Sequence, residues 1–237
     1  MTRHLVLVPG LNNTRAVFDG VLAALPPTVQ AHALDNPALP STEAIAQALL
    51  AQLPQRFWLA GFSFGGYVAL AMLEAAPERV QGIALVCTSP SGDAPQQAQK
   101  RLAAIAAARE GRYFAQIAAQ AANAFHPDAL ANAALMQARS RMVRDYGAER
   151  YIAHVQATMA RPDRTHLLGA GRPTLVVAAS HDKVFEPSVL CAYAEKIAGA
   201  QWRQIEGSGH LLPMEKPGAL AQVLAAWMRD DSSLLTS

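Results

Sequence analysis

Short, nearly continuous runs of Val, Leu, Ile and Ala alternate along the chain with longer stretches whose apolar residues recur every three or four positions. The short runs predict strands at His4–Val8, Val29–Leu34, Phe57–Gly61, Gly82–Cys87, Thr174–Ala178 and Gln201–Ile205. Most lack the in–out alternation of a half-exposed strand, as expected where both faces of a sheet are covered. The longer stretches predict helices near Arg15–Leu25, Thr42–Gln52, Phe64–Ala75, Pro187–Ala198 and Pro217–Met228. Ser41-Thr42-Glu43 and Pro217 suit helix starts, and Gly199 suits a stop. Strand–helix alternation builds βαβ units. The expected fold is therefore α/β, with about six parallel strands flanked by helices.

One stretch breaks this rhythm. Between Ala94 and Arg161 no strand pattern occurs, and 22 of the 68 residues are Ala. Gly111, Pro127 and Gly147 divide it into about four helices. The expected organisation is a core made of residues 1–92 and 162–237, with 93–161 as a helical lid inserted after the fourth strand. Lid residues Phe114, Phe125, Tyr146, Tyr151 and Met159 line a pocket or, as is commoner, pack helix against helix. The polar tail Asp230–Ser237 is expected to fray.

Composition narrows the partners. With 51% hydrophobic and 16% charged residues in 237, the chain can bury a sizeable core. A net charge of +2, without a Lys/Arg run, offers no footprint for nucleic acid or an anionic membrane. No apolar run near the N-terminus is long enough for a membrane span, so a cytoplasmic address is the expectation. Charge is unevenly placed: the stretch 94–161 carries nine basic and four acidic residues, a balance of +5. Arg139, Arg141 or Arg144 could hold a substrate carboxylate there, although a solvated basic helix face explains the excess more simply. Cys87 sits in the apolar run Gly82–Cys87 and reads as a buried, reduced thiol. No CxxC or HxxxH spacing supports zinc, and neither metal nor cofactor is expected. The expected partner is a small-molecule substrate, with the chain a monomer or homodimer.

Four segments carry chemistry. In Trp58-Leu-Ala-Gly61-Phe62-Ser63-Phe64-Gly65-Gly66 an apolar strand runs through GxSxG into a helix. A nucleophile on such a sharp turn is crowded from both sides, which explains the glycines. The helix N-terminus then aims the Phe64 N–H at any oxyanion formed nearby. Asp182 follows the strand at Thr174, and His210, in Glu206-Gly-Ser-Gly-His210-Leu-Leu-Pro213-Met-Glu215-Lys-Pro217, follows the last strand. Ser, Asp and His in this order, each on a loop past a strand's C-terminal end, suit a hydrolytic triad. After the first strand, Pro9-Gly10-Leu11-Asn12-Asn13 places the Leu11 N–H where it can join that of Phe64.

These motifs resemble the α/β-hydrolase superfamily, in its small capped esterase and C–C-hydrolase-like branch. The resemblance covers nearly the whole chain and implies a triad of Ser63, Asp182 and His210, an oxyanion hole from the backbone N–H groups of Leu11 and Phe64, and a lid after the strand ending at Cys87. Three positions depart from the family pattern. Pro9 replaces a histidine, Ala179 replaces a glycine three residues before the acid, and Pro187 falls one residue late. Glu186 is accordingly a reserve acid and Asp93 a second. The two leading strands common in the family are not expected.

The implied reaction is cleavage of a carboxylic ester, or a related acyl bond, of a small and largely apolar substrate. It would pass through an acyl-enzyme on Ser63, without a metal. Phe62, Phe64 and Leu211 suggest an apolar mouth. Two alternatives stay open: a C–C bond hydrolase or menaquinone-pathway lyase-like enzyme on the same triad, and a non-catalytic ligand-binding protein of the same fold.

Overall fold

The computed structural model describes residues 2–169 and 171–230, so most of the polar tail lies outside the described residues. Six strands, β1 (Arg3–Val8), β2 (Val29–Ala33), β3 (Phe57–Phe62), β4 (Val80–Val86), β5 (Thr174–Ala179) and β6 (Gln201–Ile205), form one sheet. Its order is β2-β1-β3-β4-β5-β6, and every pair is parallel. The helices in chain order are α1 (Asp19–Ala24), α2 (Thr42–Leu50), α3 (Phe64–Ala75), α4 (Ala98–Ala107), α5 (Tyr113–Ala119), α6 (Ala121–Ala124), α7 (Pro127–Leu130), α8 (Ala133–Tyr146), α9 (Ala148–Ala160), α10 (Pro187–Lys196), α11 (Leu212–Glu215) and α12 (Pro217–Asp230).

The continuous apolar runs have a simple cause. Alternate residues of each strand enter two separate cores. Leu5, Leu7, Trp58, Ala60, Leu175 and Val177 pack under α1 and α12, where Trp58 meets Trp227 edge to face at 4.7 Å. Val6, Val8, Leu59, Ile83 and Leu85 pack under α2 and α3, and Val176 and Ala178 under α10. Central strands β3 and β5 are buried at every position, whereas β2 and β6 at the edges are not. Ser41 caps α2, its side chain accepting from the Ala44 N–H.

Helices α4 to α9 all lie between β4 and β5. The insertion is more fragmented than four helices. It breaks at Gly111, Pro127 and Gly147 as expected, but also at Gln120 and Asn132. Asn132 starts α8 by accepting from the Leu135 N–H, a capping role that an Ala-rich background hides. Tyr113, Val143, Tyr146, Tyr151 and Val155 form a small core of the insertion's own. Phe125 is buried against the main core, and Phe114 is exposed. Among the described residues no helix is long and apolar enough to cross a membrane.

Candidate active site

All four predicted segments leave the C-terminal edge of the parallel sheet: Leu11 past β1, Ser63 past β3, Asp182 past β5 and His210 past β6. Ser63 has φ 51° and ψ −120°, a left-handed conformation rare for a residue with a side chain. Its N–H donates to the Val86 carbonyl at 2.9 Å, and its carbonyl accepts from the Gly66 N–H at 2.8 Å, so the bend is pinned from both sides. The turn also lies hard against β1. A Cβ on Gly65 would stand 2.0 Å from the Val8 carbonyl oxygen, so no larger residue fits.

The structure brings Ser63, Asp182 and His210 together. His210 Nε2 lies 2.9 Å from Ser63 Oγ, and His210 Nδ1 lies 2.8 Å from Asp182 Oδ2. A carboxylate only accepts, so Nδ1 carries the proton and Nε2 is free to accept from the hydroxyl. Asp182 Oδ1 accepts from the N–H groups of Val184 at 2.7 Å and Phe185 at 2.9 Å, which fixes the carboxylate plane. Both Asp182 and His210 are buried. Phe62 and Phe185 flank the imidazole, with ring centroids 5.3 and 6.0 Å away.

Glu186 is exposed at the start of α10, and among the described residues the imidazole's Nδ1 pairs with Asp182 instead. Asp93 is engaged elsewhere. Arg101 binds it through two contacts of 2.9 Å, and Arg161 through a third at 2.9 Å. Burial disfavours the charge of Asp93, but these hydrogen bonds outweigh burial and hold its carboxyl below the usual range. Arg161 also lies 4.0 Å above the Tyr67 ring, so this cluster fastens the root of the insertion to α3.

The N–H groups of Leu11 and Phe64 enter no turn, loop or cap hydrogen bond among the described residues. Phe64 opens α3, where the first N–H groups have no partner within the helix. The loop carrying Leu11 is anchored where the family pattern differs: buried Asn36 donates from Nδ2 to the Pro9 carbonyl at 2.9 Å. Asparagine on a different loop thus secures a segment that the sequence left without its histidine.

Several residues that sequence reasoning missed surround these groups. His154 of α9 stacks on the Phe64 ring at 4.7 Å and is fully buried. Its Nε2 donates to the Pro37 carbonyl at 2.7 Å, which leaves Nδ1 to accept from the Tyr146 hydroxyl. Desolvation lowers its pKa to about 4, with the Pro37 carbonyl opposing and Arg150 assisting. Glu215 accepts from the Gly209 N–H at 3.0 Å and the His126 N–H at 2.8 Å, joining the histidine loop to the insertion. Burial raises its pKa, and the two N–H groups offset part of that. Leu211 adds a further bond, from its N–H to the Ala124 carbonyl at 2.9 Å. A Cβ on Gly209 would meet the His126 nitrogen at 2.6 Å, so this contact explains the glycine before the histidine. A polar acid within Leu-Leu-Pro-Met-Glu215-Lys-Pro was a usable signal, whereas nothing in the sequence singles out His154.

Cys87 is free and buried, and its sulfur lies within 4.8 Å of ligand atoms of Asp182 and His210. Burial first, and Asp182 second, push its thiol up well above the usual range. A thiolate is the form that binds metals, so this trio is poorly suited to one. Of the basic candidates, Arg141 and Arg144 are exposed, while Arg139 is drawn into the protein and hydrogen-bonded. A cleft of about 290 Å³ opens between α8 and the α1–α11 side, lined by Val17, Leu135, Arg141, Met142, Pro213 and Met214.

Comparison with known proteins agrees with this geometry. Residues 3–217 match the family model described as alpha/beta hydrolase fold. A pimeloyl-[acyl-carrier protein] methyl ester esterase of Nitrosomonas europaea is 34% identical over 94 residues, which are 36% of this chain and 37% of that protein. The corresponding enzyme of Klebsiella pneumoniae is 38% identical over 96 residues, again 37% of each. The chain thus aligns with little more than a third of the length of these curated relatives. Among solved structures, a thermophilic esterase from Thermogutta terrifontis is 26% identical, with TM-score 0.88, covering 97% of this chain and 90% of that one. The enol-lactonase of Burkholderia xenovorans LB400, at 20% identity and TM-score 0.81 over 97% and 92%, shares the fold. With strand order, nucleophile turn and family model in agreement, the chain belongs to the alpha/beta hydrolase fold family.

Proposed function

We propose that this protein is a serine esterase that cleaves a carboxylic ester of a small, largely apolar acyl group. The observation that carries the reading is the unbroken hydrogen-bond chain from Ser63 Oγ through His210 to Asp182, starting from a nucleophile held at φ 51°. In the proposed reaction His210 takes the Ser63 proton as Oγ attacks the ester carbonyl. The tetrahedral oxyanion is received by the Leu11 and Phe64 N–H groups. Asp182 keeps the imidazole in the useful tautomer and stabilises it once charged. His210 then passes the proton to the departing alcohol, and water, activated by the same imidazole, releases the acid.

The relatives named as methyl ester esterases, and the esterase of similar structure, favour an alkyl ester over other acyl bonds. In this reading helices α4 to α9 form the lid, and the cleft beside α8 is an approach for an apolar chain. A cytoplasmic address suits the two free cysteines, Cys87 and Cys191. The test is labelling with a fluorophosphonate and turnover of short p-nitrophenyl esters, each beside Ser63→Ala. Labelling and turnover that both vanish in Ser63→Ala are expected. Labelling with negligible ester turnover would favour carbon–carbon cleavage instead, and no labelling would favour a binding protein.

A further inference from the structure

The loop after β1 is held from the insertion, and one arginine dominates the contact. Arg139 Nη1 donates to the Asn12 carbonyl at 2.6 Å and to Asn13 Oδ1 at 2.7 Å. The Tyr113 hydroxyl donates to Asn12 Oδ1 at 3.1 Å. Asn13, so gripped, acts on its own loop in two places. Its Nδ2 donates to the Leu11 carbonyl at 2.7 Å, and its backbone N–H donates to the Gly10 carbonyl at 3.2 Å.

That last bond bears on the reaction. The Gly10 carbonyl and the Leu11 N–H belong to one planar peptide and point in opposite directions. Holding the carbonyl on Asn13 therefore aims the Leu11 N–H away from Asn13. The bend takes Asn12 to φ 62°, a left-handed conformation that Asn adopts more readily than other residues with side chains. Arg139 forms no ion pair with a carboxylate among the described residues, unlike Arg101 and Arg161, which both end on Asp93. Its bonds go to two neutral oxygens of a single loop, although burial lowers its pKa to about 10. A half-buried cation that spends its hydrogen bonds on one loop, with no carboxylate beside it among the described residues, gains little of the stability an ion pair would give.

We infer that Arg139 is a positioning residue for the oxyanion hole: through Asn13 it holds the Gly10–Leu11 peptide so that the Leu11 N–H faces the developing oxyanion. The inference rests on the esterase reading of Ser63. It makes the insertion a working part of the catalytic centre and not only its cover.

The experiment is a double-mutant cycle on the full-length chain with p-nitrophenyl butyrate, using Arg139→Met, Asn13→Ala and the pair, with Arg139→Lys alongside. The expected result is a fall in kcat of about 10- to 100-fold in each single variant, with KM nearly constant. The double variant should be little worse than the worse single, because the two residues act in series. Lysine, which keeps a donor but not the fork, should restore part of kcat. Additive losses, or an unchanged kcat, would overturn the inference. So would a rise in KM confined to an ester bearing a second carboxylate, which would make Arg139 a substrate-anion site. Should Arg139→Met fail to fold, Asn13→Ala, which removes the link itself, carries the test with Arg139→Lys beside it; an unchanged kcat in Asn13→Ala is equally fatal. A wild-type protein without ester turnover would instead refute the esterase reading, before Arg139 is reached.

Discussion

The sheet and the insertion solve the same problem by opposite means. The sheet buries its strands on both faces, and its shape follows from apolar packing that needs no particular partner. The insertion is rich in Ala and has only a small core of its own, so it is fixed to the sheet's rim by individual polar contacts. Arg161 donates to the Ser91 and Gly92 carbonyls and lies over Tyr67, Arg139 binds the Leu11 loop, His154 binds Pro37, and Glu215 bridges His126 and Gly209. Packing tolerates small changes in shape, but directed hydrogen bonds do not. Substitutions on the rim should therefore act on chemistry or on global stability, and those in the insertion on geometry at the rim.

The sharpest separation is expected at Asp182→Asn. The amide would leave the fold intact but favour the wrong imidazole tautomer, lowering turnover about 10⁴-fold with the melting temperature nearly unchanged. Steady-state kinetics beside a thermal melt would show it. Gly65→Ala should do the reverse of a clean catalytic lesion, because its new methyl meets backbone rather than a yielding side chain. A loss of about 3 kcal/mol in urea unfolding is expected, with activity falling alongside.

A pH titration addresses the insertion. His154 is held near 4 in the folded chain against 6.5 ordinarily, so the unfolded chain takes up the proton first. Its contribution is complete above about pH 6.5 and is lost as pH falls towards 4, amounting to about 2–3 kcal/mol. Carboxylates held low, such as Asp93, add acid sensitivity of their own at still lower pH. The measurement is thus the difference between wild type and His154→Gln, which should shrink across this window. An equal slope in both proteins would remove His154 from the account. Smaller again is Glu215→Gln, which sets an amide NH₂ against one of two backbone N–H groups; kcat should fall about tenfold with KM nearly constant. The comparison predicts least for Arg112→Ala and Arg144→Ala on the insertion's exposed face, each within about 0.5 kcal/mol of wild-type stability.

The contrast also explains what could be read from the sequence. Strands with two buried faces leave continuous apolar runs, so all six were found within about two residues of their ends. GxSxG, Asp182 and His210 were legible because each lies on a loop whose position follows from the strand before it. The insertion was legible as helical, but not in its breaks at Gln120 and Asn132, because Ala suits any helix and marks no boundary. Its roles were hidden for a related reason. In the sequence Arg139 is one of three basic candidates for a substrate carboxylate, nothing singles out His154, and Asn12 and Asn13 merely continue the loop after Gly10. Each acquires meaning from a partner more than a hundred residues away in the chain, and spacing carries no trace of that.

The bridge made by Glu215, with the Leu211–Ala124 bond beside it, ties the stretch 124–126 to the His210 loop. If the proposed reaction holds, that stretch cannot swing outward without moving the His210 imidazole relative to Ser63. On that reading it is the fixed jamb of a doorway, and an ester would have to enter along another edge of the insertion.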